Sequence, residues 1–137
     1  MPHLIIEYSA NVADDVGGPV DIGALVDALH EAALATGIAA LDALRTRAVG
    51  RQRFAVADRD PDNMFIAVTA RLGAGRSDDD KRRFVDALMT SLDEFLGDAQ
   101  RTMMLSVEYQ EIDPTFRSNR NNLRPLIAER TAHERGH

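Results

Sequence analysis

A chain of 137 residues, 45% hydrophobic and 28% charged, is sized for one globular domain with a modest core. Without cysteine it has no disulfide framework, thiolate metal site or cysteine nucleophile, and of its histidines only His133 and His137 are spaced i, i+4, in the charged tail. A net charge of −6 argues against nonspecific nucleic-acid binding, and the absence of a signal peptide or of any apolar run near the roughly 18 residues that span a bilayer points to the cytoplasm. In chain order, Leu4–Tyr8 is a short run of β-formers and reads as the first strand. Residues 10–19 hold Asn, Asp-Asp and Gly-Gly-Pro, a loop. Asp21 caps a helix whose apolar face is Ile22, Leu25, Val26, Leu29 and Ala33, and Gly37 is its left-handed stop. Leu41–Val49 is the second strand, with Leu44, Thr46 and Ala48 on one face and Arg45, Arg47 and Val49 on the other.

Residues 50–63 are polar and end in the turn cluster Asp60-Pro61-Asp62-Asn63. The third strand, Met64–Leu72, puts Met64, Ile66, Val68, Ala70 and Leu72 on one face. Gly73-Ala74-Gly75-Arg76-Ser77 follows, and Ser77 with Asp80 resembles a capping box. Asp78, Asp79 and Asp80 suit the positive first turn of a second helix, with a stripe of Val85, Leu88, Leu92, Phe95 and Leu96. Met103–Gln110 is the fourth strand. The order β-α-β, loop, β-α-β implies an α/β two-layer sandwich: a four-stranded mixed sheet with two helices on one face. Phe65, Ala67 and Thr69 leave the other face too apolar for open water, so oligomerisation is expected to cover it. Residues 112–127 form an arm expected on a neighbouring subunit. The domain thus spans 1–127, and 128–137 read as a flexible tail.

The chain start is the chemical candidate. Once Met1 is cleaved, Pro2 carries a free secondary amine, and α-amino groups titrate at roughly 7.7–8.0. Burial or nearby cations lower that value, and a neutral amine can take a proton and return it. Arg45 and Arg47 on the second strand, and Arg76 just past two glycines at a helix start, are candidate anion ligands. Each has a plainer reading, as a solvated strand edge or an ordinary glycine turn. Glu7 and Glu108 lack any pairing in sequence that would mark them as acid or base.

Pro2-His3-Leu4-Ile5-Ile6-Glu7-Tyr8-Ser9, Thr36-Gly37-Ile38, Leu44-Arg45-Thr46-Arg47, Gly73-Ala74-Gly75-Arg76-Ser77 and Asp113-Pro114-Thr115-Phe116 through Asn121-Asn122 occur in that order. The pattern resembles the 5-carboxymethyl-2-hydroxymuconate isomerases of the tautomerase superfamily, from Pro2 to about Leu126. The resemblance implies a duplicated βαβ fold, a homotrimer with active sites between subunits, and a catalytic amino-terminal proline at Pro2. It implies substrate-binding arginines at Arg45 and Arg76, with Arg47 in the same motif. It further implies a polycarboxylate dienol substrate from homoprotocatechuate breakdown, and no metal or organic cofactor. The mature chain is expected to start at Pro2, and the loop 51–63 to border the pocket. A tautomerase of another enol, such as phenylpyruvate, would keep Pro2 with fewer arginines. A non-catalytic module that binds anions would use the arginines alone.

Overall fold

A computed structural model describes residues 1–135. The elements are β1 (His3–Ser9), α1 (Ile22–Ala35), β2 (Arg45–Arg51), β3 (Met64–Gly73), α2 (Asp78–Leu96), β4 (Met103–Ile112) and α3 (Leu123–Arg135). The sheet order is β2-β1-β3-β4. Strands β1 and β2 are parallel, as are β3 and β4, and β1 meets β3 antiparallel. Each helix therefore links a parallel pair, and the two βαβ units join through the central antiparallel strands. The expected two-layer sandwich with a four-stranded mixed sheet is the observed fold.

The core lies between the sheet and helices α1 and α2. Leu4 and Ile6 of β1 meet Ile66, Val68, Ala70 and Leu72 of β3 there, every one within 1% of full burial. Against them pack Leu25, Leu29 and Ala33 of α1 and Phe84, Leu88, Leu92 and Leu96 of α2. The expected alternation in β3 is what puts its apolar row on this face. Both helix starts are capped as read: Asp21 Oδ1 accepts from Ala24 N at 3.1 Å and Ser77 Oγ accepts from Asp80 N at 3.1 Å. Gly37 has φ +73° after the last turn of α1.

Several expectations change. The stripe of α2 is the i, i+4 row from Phe84 to Leu96, and Val85 and Phe95 lie at its rim. Strand β2 starts at Arg45, because Ala43 N and Leu44 N both bond Ala40 O in a turn, and pairing begins only where β1 begins. It runs on to Arg51, and Gly50 is needed there because a Cβ would stand 2.9 Å from the Tyr8 ring. The loop 51–63 is tied by Asn11 Nδ2, which donates to Asn63 O at 2.9 Å, beside the far end of β1. Within one chain it therefore lies about 20 Å from Pro2, at 3.3 Å per strand residue.

The stretch read as a short patch and a loose tail is a helix, α3, as far as Arg135. Asn121 Oδ1 caps it, accepting from Leu123 N and Arg124 N, and Ala, Glu and Arg after Ile127 are good helix formers. The remainder of the expected tail, residues 136 and 137, lies outside the described residues. The arm is bonded within its own chain. Asn121 Nδ2 donates to Asp42 O at 2.7 Å, and Arg124 Nε donates to Asp42 Oδ2 at 3.0 Å.

Candidate active site

Pro2 is buried, and its carbonyl accepts from Arg45 N at 3.3 Å. That bond seats the chain start at the end of β1, between β2 and β3. The free amine in this structure is that of Met1. Its pKa lies below the ordinary α-amino value, first because of burial and then because of Arg117, Arg45, Arg76 and Arg124. Four guanidinium groups from β2, the glycine turn and the arm therefore share one field at the chain start. A cleft of about 390 Å³ opens there, lined by Met1, Asp42, Arg45, Arg120, Asn121 and Asn122 among others. A larger groove of about 810 Å³ runs beside it between α3 and the 40–42 turn, but it does not reach the amine. The smaller cleft is the one of the two that holds a titrating amine, which a proton-transfer site needs.

Arg76 is half-buried and pinned. Its Nη1 donates to Gly73 O at 3.1 Å and its Nη2 to Ile38 O at 3.3 Å. Two of its five donors are thus used for orientation and three are left for a ligand. Arg45 and Arg47 flank His3, with Arg45 Nη2 3.1 Å from His3 Nε2 and Arg47 Nη1 3.1 Å from His3 Nδ1. A neutral imidazole has one lone pair in its plane, so it accepts from only one of them. Burial, then Arg45, Arg47 and Arg71, push His3 down to about 4, so the ring is neutral near pH 7.

Of the residues expected from the sequence, the structure brings Pro2, Arg45 and Arg76 into one neighbourhood. Arg47 pairs in register with Ile5, two residues further along, and serves His3. Sequence reasoning missed Arg117 and Arg124. The signal available was the arginine excess of residues 114–137, five against two glutamates, in an otherwise acidic chain. Among the described residues no group of three or more His, Asp or Glu is placed to hold a metal, and no helix is long and apolar enough to cross a membrane.

A family model described as 5-carboxymethyl-2-hydroxymuconate isomerase matches residues 2–127. An Escherichia coli protein, 5-carboxymethyl-2-hydroxymuconate Delta-isomerase, is 28% identical over 129 residues, 93% of this chain and 99% of that one. The crystal structure of a 5-carboxymethyl-2-hydroxymuconate isomerase from Deinococcus radiodurans R1 matches with a TM-score of 0.81 at 31% identity, over 92% of this chain and 93% of that one. A fused 4-OT protein described as a wild-type symmetric trimer shares the fold, with a TM-score of 0.60 at 19% identity over 86% of this chain and 93% of that one.

Proposed function

The chain belongs to the 5-carboxymethyl-2-hydroxymuconate isomerase family, a family of isomerases, and we propose from that membership that it converts 5-carboxymethyl-2-hydroxymuconate from the 2-hydroxy dienol to the 2-oxo form through Pro2. The observation that carries this reading is the buried chain start inside a field of four arginines. Removing Met1 moves the free amine by one residue, to the Pro2 nitrogen, in the same surroundings. The cations and the burial that lower the Met1 amine then act on a secondary amine fixed at the end of a strand.

The reaction is a proton moved along a conjugated chain. Neutral Pro2 takes the proton of the 2-hydroxyl. The electron pair shifts through the diene, the C2–O bond becomes a carbonyl, and carbon 5 receives the proton from the Pro2 ammonium. One group is base and then acid, so no cofactor enters these steps. Arg45 and Arg76 bind carboxylates, for which the guanidinium fork gives two parallel hydrogen bonds. An arginine beside the 2-oxygen would also stabilise the charge that develops on it. Such a substrate belongs to the breakdown of homoprotocatechuate.

The ultraviolet decay of 5-carboxymethyl-2-hydroxymuconate, corrected for spontaneous ketonisation, tests the activity. Saturable conversion by protein starting at Pro2 is expected. Arg76→Ala should raise KM by about tenfold to a hundredfold, the range for a lost charged hydrogen bond. Unchanged kinetics would remove Arg76 from the site, and no rate above background would remove this substrate.

The working unit on this reading is a homotrimer. A protein of the same fold is described as a symmetric trimer, and the sheet face opposite the helices carries exposed Val49 and Met104. Sedimentation equilibrium should give a mass near three times the 15.1 kDa chain. A monomer at micromolar concentration would rule this out.

A further inference from the structure

Two guanidinium groups converge on Gly73. Arg76 donates to its carbonyl at 3.1 Å. Arg117 comes from the arm and lies against its bare α-carbon: a Cβ built there would stand 3.0 Å from Arg117 Nη1 and 3.5 Å from Nη2. Arg76 is held by carbonyls, whereas no hydrogen bond or ion pair engages the Arg117 guanidinium among the described residues. Two like charges brought to one residue, with no acid between them, repel unless an anion is bound. An anion there would meet an unused fork of five donors. Among the charges felt by the chain-start amine, Arg117 comes first, ahead of Arg45 and Arg76.

The proposed substrate, on the isomerase reading above, carries three carboxylates: the two ends of the muconate chain and the carboxymethyl branch. Arg45 and Arg76 account for two. We propose that Arg117 binds the third, the carboxymethyl carboxylate, and so sets a preference for the tricarboxylate over plain 2-hydroxymuconate. The branch sits on carbon 5, which must approach the amine to receive its proton. Its methylene lets the carboxylate turn out of the conjugated plane, off the line that the two chain-end carboxylates share.

Steady-state kinetics on both dienols test this. In Arg117→Gln, the kcat/KM ratio of tricarboxylate to dicarboxylate should fall about tenfold to a hundredfold, chiefly through KM. Arg117→Lys should recover part of the loss, since it keeps the charge without the fork. Gly73→Ala should move the ratio in the same direction, because its methyl displaces only the flexible end of Arg117. An unchanged ratio in Arg117→Gln, whether both substrates slow together or neither does, overturns the assignment. If the wild-type protein converts neither dienol, the isomerase reading fails and calorimetry decides on Arg117 separately, with propane-1,2,3-tricarboxylate against glutarate. A wild-type preference for the tricarboxylate that Arg117→Gln abolishes supports the site. A preference absent from the wild type, or surviving in the variant, overturns it.

Discussion

Protein that keeps Met1 should ketonise the dienol about 10²- to 10⁴-fold more slowly than protein beginning at Pro2, the range that positioned acid–base catalysis contributes. With Met1 attached, the Pro2 nitrogen is an amide whose lone pair is delocalised into a carbonyl. It cannot take a proton near pH 7. The arginines stay where they are, so affinity for a polyanionic analogue should hold while turnover collapses. Pro2→Ala should fall between the two, since it keeps an α-amine but loses the ring that fixes it. The pH dependence has a definite sign. The amine must be neutral to act, and the burial and arginines that lower the Met1 amine below its ordinary value act in the same sense on the Pro2 amine. Activity should therefore fall on the acid side, with an inflection below the ordinary value of such an amine. Added salt screens the arginines, which raises the pKa and moves the inflection upward. Equal turnover from protein whose intact mass includes the methionine would sink the mechanism.

Phe84→Ala should destabilise the fold by about 3–5 kcal/mol, the usual cost of removing a core aromatic ring. Phe84 is completely buried under the first turns of α2. Its ring meets Tyr109 of β4 edge-on, with centroids 6.3 Å apart and planes at 90°, a contact worth about 0.5–1.5 kcal/mol beyond burial. A domain of this kind is stable by only about 5–15 kcal/mol in total, so the loss is a large share of it. Urea unfolding at a fixed protein concentration reads the change, since assembly makes stability depend on concentration. A cost under about 1.5 kcal/mol would mean that the space closes and that this turn does not anchor the helix. The expected stripe begins one residue later, at Val85. The tertiary contact with β4 gave that position its inward direction.

Local physics made the frame of this protein readable. Alternation along Met64–Leu72, the helical rows of α1 and α2 and the caps Asp21 and Ser77 involve neighbours a few residues apart, so composition and spacing carry them. Pro2, Arg45 and Arg76 could be named as candidates because a chain-end amine and arginines at the ends of those elements show in the sequence, and the structure sets them in one neighbourhood. The rest depended on contacts between distant parts of the chain. Arg124 reaches Asp42 across 82 residues, Arg117 lies against Gly73, and β2 begins only where Pro2 O accepts from Arg45 N. Nothing local in Arg117 to Asn122 distinguishes a polar linker from a wall of the cleft. Arg120, Asn121 and Asn122 came to line the cleft only when the 40–44 turn offered Asp42, and Arg117 came to rest only against Gly73, which has no side chain. Sequence by itself determined the two βαβ units, through periodicity, and offered a candidate base at the start of β1, through chain-end chemistry. Tertiary structure alone decided which charges surround that base, because electrostatic fields follow distance in space and not separation along the chain.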